Sequence, residues 1–169
     1  MIIFEKFLGK RAEIPEDCRY YVKQGLWAKA DDHHISCGLS EPALILAGGL
    51  NDLEWLVPEG KFIEQNQTVI FAITGKILYI DSPFRGRIHF NPLVKQRPEI
   101  VLSDPYDQGW LFKVAAVENA KEDLNRLAEP WTYAESLKTS EGCKNPEGIK
   151  GGVSGMCKAV YSGIGAQKI

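Results

Sequence analysis

Three features are missing from this chain: a long apolar run, an excess of either charge, and a closely spaced pair of cysteines. Without a run of eighteen apolar residues, the sequence predicts no membrane-spanning helix. The 169 residues carry a formal net charge of −2 and show no basic stripe, so nucleic acid is not an expected partner. The N-terminal residues also make a poor secretory signal. We therefore expect a cytoplasmic protein that contacts neither membrane nor nucleic acid.

The four cysteines lie far apart in the sequence, at Cys18, Cys37, Cys143 and Cys157. None of them forms a C-x-x-C pair, which argues against a zinc knuckle or a thioredoxin-like site. Reduced thiols of a cytosolic protein are the simplest interpretation. Cys143 and Cys157 could instead pair and close a loop, and a redox role for them has no supporting motif. Because phosphate-loop, catalytic-triad and zinc motifs are also missing, the sequence predicts no catalyst and no metal site.

Short apolar runs that alternate with turn residues fill most of the chain. Isoleucine, valine and aromatic residues dominate these runs, and such residues favour strands. The predicted strands are 19–29, 35–39, 54–57, 62–63, 69–73, 77–80, 86–90 and 110–114. Many short strands at close spacing are typical of a β sandwich or barrel. The sequence therefore predicts a mainly β protein.

Two helices are predicted beside the strands. Ser40 is a good N-cap for a helix over residues 43–47, and Gly48-Gly49 would stop it. Asn119 is a second N-cap, because a glutamate follows it three residues later and completes a capping-box pattern. We expect that helix to continue as far as Pro130, where the missing backbone N–H ends it.

The composition changes after Leu137. Residues 138–169 are rich in glycine and poor in large apolar side chains. Such a segment buries little surface, so we expect a loosely structured extension. The sequence thus predicts one domain over residues 1–137 and a Gly-rich C-terminal extension over residues 138–169.

A string of uncommon residues runs from Ser82 to Val114 and resembles the H protein of the glycine cleavage system. The family pattern leads from Ser-Pro and a nearby Gly to Pro-Glu, then to Asp-Pro-Tyr, and finally to Gly-Trp and a closing strand. The matching residues are Ser82, Pro83, Gly86, Pro98, Glu99, Asp104, Pro105, Tyr106, Gly109 and Trp110. Their order and spacing agree together, which makes the resemblance specific. Looser similarity extends from about residue 20 to residue 137.

The resemblance implies a barrel-sandwich hybrid with short flanking helices, the fold of lipoyl domains and H proteins. It also implies a carrier rather than an enzyme. In this family lipoate is joined as an amide to one lysine at the tip of a β-hairpin, and the arm shuttles an aminomethyl group between enzymes. The implied partners are glycine decarboxylase, aminomethyltransferase and dihydrolipoyl dehydrogenase.

Lys76 stands at the position of the family's lipoyl lysine. It follows Gly75 between two apolar runs, and a two-residue hairpin loop with Gly first is the type II′ pattern. The sequence therefore predicts that Lys76 projects from a hairpin tip and is the candidate site for covalent lipoate.

The surroundings of Lys76 depart from the family pattern, so a second hypothesis stays open. Residues 73–77 are Ile-Thr-Gly-Lys-Ile, where the family usually has Glu-Ser-x-Lys-Ala. The spacing from Lys76 to Pro83 is one residue shorter than in the family, and residues 25–27 are Gly-Leu-Trp in place of His-Glu-Trp. The alternative is a divergent scaffold or regulatory protein that kept the fold, lost the cofactor and binds a partner protein. Lys76 would then be an ordinary solvated turn lysine.

Overall fold

A computed structural model describes residues 1–149 of the chain. Its strands form three antiparallel sheets, with eleven strands and six helices in the described residues. The strands are β1 (Ile2–Phe7), β2 (Lys10–Ile14), β3 (Arg19–Tyr21), β4 (Leu26–Ala30), β5 (His34–Leu39), β6 (Asp52–Trp55), β7 (Phe62–Ile63), β8 (Thr68–Ile73), β9 (Ile77–Asp81), β10 (Gly86–Phe90) and β11 (Phe112–Ala116). The helices are α1 (Glu41–Ala47), α2 (Pro92–Gln96), α3 (Glu99–Ser103), α4 (Ala120–Leu124), α5 (Pro130–Leu137) and α6 (Glu141–Lys144).

The main core lies between the two larger sheets. One sheet has the strand order β3-β4-β5-β11-β10-β7, and the other has the order β6-β8-β9. Fully buried side chains from both sheets pack in one cluster, among them Ile35 and Val114 from the first and Leu53 and Ile70 from the second. Two sheets that bury a shared face make the expected mainly β, barrel-sandwich architecture. The predicted fold class is confirmed.

A second core lies on the opposite face of β3 and β4. Side chains alternate between the two faces of a strand, so Leu26 enters the main core while its neighbour Trp27 enters the second one. There Trp27 joins Phe7 of β1 and Tyr133 of α5. Its indole N–H donates to the carbonyl of Pro105 over 2.9 Å, which anchors the Asp-Pro-Tyr loop to β4.

The predicted caps of the first helix are confirmed. Ser40 has an extended backbone, and its hydroxyl accepts from the backbone N–H of Ala43 over 3.3 Å. Gly48 ends the helix in the left-handed region with φ of 80°, which glycine adopts without strain. Both signals are local in the sequence, and together they fix the two ends of α1.

Several predicted boundaries are wrong, and for two of them the tertiary structure shows the reason. Residues 19–29 form two strands instead of one, because the chain turns over residues 22–25 and Gly25 has φ of 68°. The predicted helix after Asn119 ends at Leu124 and does not reach Pro130. Ala128 instead exchanges two backbone hydrogen bonds with Tyr20, of 2.9 and 3.0 Å, and Pro130 begins α5. A tertiary pairing with β3 therefore overrides the local helical pattern.

The N-terminal hairpin and residues 142–146 pack together on the second core. The sequence pattern did not reveal the β1–β2 hairpin, which turns at Leu8 and Gly9 with φ of 52° and 81°. Leu8 donates to the carbonyl of Gly142 over 3.0 Å, and Gly9 donates to that of Pro146 over 2.8 Å. Residues 138–149 are therefore not the loose segment that we expected. The division of the chain after residue 137 stays a prediction.

Across residues 1–149 every helix falls short of the length and apolar character that a bilayer crossing requires.

Candidate functional site

Lys76 closes the loop at the tip of the β8–β9 hairpin. Ile73 and Ile77 face each other as the last strand pair, so the loop consists of Thr74, Gly75 and Lys76. The backbone N–H of Thr74 donates to the carbonyl of Lys76 over 2.8 Å. The buried Thr74 hydroxyl donates to the same carbonyl over 2.6 Å and accepts from the Lys76 N–H over 3.0 Å. Lys76 itself is exposed. The loop backbone is thus fixed by Thr74, while the amine of Lys76 faces solvent.

The predicted type II′ turn is wrong. That turn needs a positive φ at its first central residue, and Gly75 is not among the glycines with positive φ. The loop has three residues instead of two, because the Thr74 side chain closes it with its own hydrogen bonds. The error changes the turn type and leaves Lys76 at the tip of the hairpin.

A cleft of about 400 Å³ lies directly beside the hairpin tip. Its walls come from the turn before β4, helix α1, strand β9 and helix α5. The lining residues are Val22, Lys23, Gln24, Gly25, Leu39, Ala43, Leu46, Ala47, Lys76, Leu78, Tyr79, Ile80, Tyr133, Ser136, Leu137 and Ser140. Most of these are apolar, and Lys76 is one of them. A long arm on Lys76 could therefore fold back against an apolar surface.

Gly25 allows the turn and helix α1 to approach closely at the bottom of the cleft. A Cβ at this position would lie 2.7 Å from the Cβ of Ala43 and 2.9 Å from the phenolic oxygen of Tyr133. Gly25 also has a positive φ, which most side chains disfavour. The family's histidine at this place would not fit the backbone seen here. The next family residue, glutamate, is replaced by Leu26, which is fully buried in the main core.

The hydroxyl groups of Tyr133 and Ser40 meet at the inner end of the cleft. Their oxygens lie 2.6 Å apart, and both side chains are buried. Burial raises the pKa of Tyr133 to about 12, and the hydrogen bond from Ser40 lowers it by a smaller amount. Tyr133 is thus a neutral phenol that ties α5 to the start of α1. The sequence could not reveal this pair, because 93 residues separate its members.

Exposed apolar side chains surround the hairpin tip on the outer face of the sheet. Ile73 is 37% exposed, Ile77 58% and Tyr79 59%. The pairs Ile73–Ile77 and Phe71–Tyr79 are directly opposite across the two strands, so the four side chains form one strip. A strip of this kind next to an exposed amine suits contact with another protein.

The cysteine hypothesis finds no support at this site. Cys18 and Cys37 are buried away from the cleft lining, and burial raises the pKa of the Cys18 thiol to about 12. Cys143 is partly buried on α6. Cys157 lies outside the described residues, so its pairing with Cys143 stays a prediction.

The fold and the site define a class of protein: a small barrel-sandwich hybrid that presents a lysine at a hairpin tip, as lipoyl-type domains do. A crystal structure of a glycine cleavage system H protein from Mycobacterium marinum shows the same fold, with a TM-score of 0.62. It covers 73% of this chain and 98% of its own, at 21% identity.

Sequence comparison names the family. The model described as "Glycine cleavage H-protein" matches residues 19–140. A relative named glycine cleavage system H protein 5, from Aquifex aeolicus (strain VF5), is 35% identical over 130 residues, which cover 69% of this chain and 86% of the relative. A glycine cleavage system H protein from Stenotrophomonas maltophilia (strain K279a) is 32% identical over 136 residues, with coverages of 77% and 98%. The chain belongs to the glycine cleavage H-protein family, whose members are carriers rather than catalysts.

Proposed function

We propose that this chain is a lipoyl carrier, with lipoate joined as an amide to Nζ of Lys76. The observation that carries the proposal is the exposed Lys76 at a hairpin tip beside an apolar cleft. A modifying enzyme needs access to the amine, and the tip gives it. The family membership of the chain supports the same role, because the relatives are named H proteins.

The residues around Lys76 fit a lipoyl arm. When attached, a lipoyl group supplies a dithiolane that exchanges electrons or a carried group with partner enzymes. Thr74 holds the loop backbone with three short hydrogen bonds, so the attachment point is fixed while the side chain is free. Leu46 and Leu78 offer apolar surface to the arm. The chain thus fixes the attachment point of the arm and offers it an apolar surface. No side chain of the site needs to act as acid, base or nucleophile.

We propose in addition that the carried group is aminomethyl and that the partners are those of glycine cleavage. They would be glycine decarboxylase, aminomethyltransferase and dihydrolipoyl dehydrogenase. The names of the relatives support this assignment. The exposed strip of Phe71, Ile73, Ile77 and Tyr79 is the surface beside Lys76 that such partners would contact first.

One structural observation favours the second hypothesis, a partner-binding scaffold without cofactor. Ile73 occupies the place of the family's glutamate, and both it and Ile77 are exposed beside Lys76. An apolar strip can bind a partner protein with no help from a lipoyl group. In that case Lys76 would only help to keep the strip soluble.

Intact-mass measurement separates the two hypotheses. The full chain is incubated with lipoate, ATP and a lipoate–protein ligase that modifies the Stenotrophomonas maltophilia relative under the same conditions. We expect one lipoyl group on this chain and none on Lys76→Arg. Lys23→Arg is the matched control, because Lys23 is an exposed lysine on the rim of the same cleft, and it should be modified like the parent chain. An unmodified parent chain beside a fully modified relative would refute the carrier proposal.

A further inference from the structure

The outer edge of strand β9 offers backbone groups that its own sheet does not use. β9 is the last strand in the order β6-β8-β9. The N–H of Thr74 donates to the carbonyl of Lys76 over 2.8 Å. The next pair along the hairpin, Ile73 and Ile77, is therefore a non-hydrogen-bonded pair. Bonded and non-bonded pairs alternate along antiparallel strands, so the N–H and carbonyl groups of Ile77 and Tyr79 both point away from β8.

The hydrogen bonds around this edge agree with that alternation. The N–H of Asp81, two residues after Tyr79, is bonded on the outer side, where it donates to the side-chain oxygen of Gln24 over 2.9 Å. Within residues 1–149, no hydrogen bond outside the β8–β9 ladder reaches the backbone of Ile77 or Tyr79. The outward-facing groups of these two residues are thus available to a further strand.

The opposite edge of the same sheet is protected. On β6 the N–H of Leu53 donates to Asp52 Oδ1 over 2.8 Å, and its carbonyl accepts from the amine of Lys95. Exposed strand edges can pair with other chains, and proteins commonly cover them. Within residues 1–149 the edge of β9 at Tyr79 has no such cover, so this edge is the one that can receive another strand.

The free edge lies along the cleft beside the hairpin tip. Leu78, Tyr79 and Ile80 of β9 line this cleft together with Leu46 of α1, and the side chain of Gln24 closes one end of the edge. A recessed edge admits a single extended segment, whereas the sheet of a second copy is too broad to enter. The free groups span three residues of β9, so a guest segment of about 10 Å satisfies them.

Two amines border this cleft in the unmodified chain. Lys23 and Lys76 are exposed, and neither forms an ion pair with a carboxylate of residues 1–149. The described lining residues include no aspartate or glutamate. Lys23 precedes Gln24 at one end of the free edge, and Lys76 precedes Ile77 at the other. A guest with an acidic residue at each end therefore matches the cleft in charge. Lipoylation would remove the charge of Lys76, so this match belongs to the unmodified chain.

We propose that the edge of β9 binds a short extended segment of a partner protein, which adds to the sheet as a further strand. The central residue of the segment exchanges two backbone hydrogen bonds with Tyr79, and its side chain lies on the outer face beside that of Tyr79. Its two neighbours turn apolar side chains into the cleft, and acidic residues flank them near Lys23 and Lys76. The binding does not require a lipoyl group.

The test uses backbone-modified peptides on the full chain, produced without lipoate and checked by intact mass. The probe is acetyl-Glu-Leu-Val-Leu-Glu-amide. In one matched peptide the valine nitrogen is methylated, which removes the N–H that faces Tyr79 and keeps every side chain. In the other the nitrogen of the second leucine is methylated, and that N–H points away from β9. The backbone amide of Tyr79 is followed by its chemical shift and by its hydrogen exchange.

We expect the probe to shift the Tyr79 amide and to slow its exchange. The peptide with methylated valine should bind roughly tenfold more weakly, and the peptide with methylated leucine should bind like the probe. Equal affinities of all three peptides would overturn the proposal, because apolar contact alone would then explain binding. An unshifted Tyr79 amide at about 1 mM probe would overturn it as well.

The free chain and two lysine variants complete the experiment. Slow exchange of the Tyr79 amide without peptide would show that the chain itself or a second copy already fills the edge, which contradicts the proposal. Lys23→Gln should weaken probe binding roughly threefold. Lys10→Gln is the matched control, because Lys10 is an exposed lysine of β2 outside this cleft, and it should change nothing. If both variants weaken binding equally, charge does not select the guest at the cleft. None of these results bears on the carrier proposal, which the mass of lipoate-treated chain tests separately.

Discussion

The phenolic oxygen of Tyr133 lies 2.6 Å from the hydroxyl oxygen of Ser40. Ser40 also caps α1 through the N–H of Ala43, so a single buried hydroxyl serves the start of one helix and the side chain of another. Both helices form walls of the cleft beside Lys76. The pair therefore links the position of the cleft walls to the stability of the domain.

Removing the Ser40 hydroxyl should lower the free energy of unfolding more than removing the Tyr133 hydroxyl. Ser40→Ala removes the helix cap and leaves the buried Tyr133 hydroxyl without its partner, so we expect a loss of about 2 kcal/mol in the free energy of unfolding. Tyr133→Phe removes only the hydrogen bond and should cost about 1 kcal/mol. Urea unfolding followed by tryptophan fluorescence measures both. Ser136→Ala is the control, because that hydroxyl bonds only within its own helix. If Ser40→Ala costs no more than Ser136→Ala, the linkage is absent.

The stability of the chain should fall at alkaline pH. Burial raises the pKa of Tyr133 to about 12, whereas a tyrosine in an unfolded chain titrates near 10. As the pH rises through about 10, tyrosine loses its proton in the unfolded chain but keeps it in the folded chain. The unfolded chain then binds fewer protons, so the free energy of unfolding decreases as the pH rises. Burial also raises the pKa of Cys18 to about 12 and those of Tyr20 and Tyr106 further, which adds to the loss.

Urea midpoints between about pH 8 and about pH 11 test this expectation. The midpoint should stay level at first and then decline, and Tyr133→Phe should make the decline shallower because it removes one titrating group. A midpoint that does not change across the range would show that these groups titrate alike in the folded and unfolded chains.

The sequence predicted those parts of the fold that depend on neighbouring residues. Ser40 and Gly48 mark the two ends of α1 by chemistry that acts within one helical turn. The sequence did not reveal the turn over residues 22–25 or the β1–β2 hairpin. Leu8 adopts a positive φ there, although leucine is a poor signal for such a turn. Tertiary packing, not local preference, fixes these two turns.

The site was also predicted only in part, because tertiary contacts determine much of it. Lys76 could be placed at a hairpin tip because two apolar runs flank it. Its loop type could not be predicted, because the buried hydroxyl of Thr74 closes the loop in a way that the Gly-Lys pair does not indicate. The cleft is assembled from four separate segments of the chain, so no local pattern describes it.

Gly25→Ala should destabilise the chain and deform the cleft. The added Cβ would come within 2.7 Å of Ala43 and 2.9 Å of Tyr133, and the position also has a positive φ. Gly60→Ala is the matched control, because Gly60 has φ of 81° and nothing lies within 4 Å of its Cβ position. Both variants share the backbone strain of about 1 kcal/mol, and only Gly25→Ala adds the clash, for a total loss of about 3 kcal/mol. Equal unfolding free energies for the two variants would show that Ala43 and Tyr133 move aside for the added Cβ at no cost in stability.

Gly142→Ala should loosen the contact between helix α6 and the β1–β2 hairpin. A Cβ at this position would clash with the ring of Phe7, which is fully buried. We expect the amides of β1 and β2 to exchange with solvent faster, while those of β8 and β9 keep their protection. Lys6→Ala is the control, because the Lys6–Glu147 ion pair is exposed and should contribute less than about 1 kcal/mol. Unchanged exchange in β1 and β2 would show that the hairpin does not depend on α6.

Ile73→Glu should increase the rate at which a lipoate–protein ligase modifies Lys76. The change restores the acidic residue that the family usually has three positions before its lysine. Ile73 is partly exposed, so a glutamate at this position would not be buried. Asp52 lies opposite Ile73 on β6, and its carboxylate oxygen is 3.6 Å from the Lys95 amine, which places a cation near the new carboxylate. One added charge-assisted hydrogen bond to the enzyme corresponds to a rate increase of roughly tenfold.

Ile77→Glu separates recognition of that residue from a general effect of charge. Ile77 faces Ile73 directly across the hairpin and is more exposed, so its replacement adds the same charge at nearly the same distance from Lys76. Intact-mass time courses should show faster modification of Ile73→Glu and an unchanged rate for Ile77→Glu. If both variants accelerate equally, the ligase responds to the net charge of the tip. If neither does, the apolar strip is not what limits modification, and its exposed side chains are better explained by partner binding.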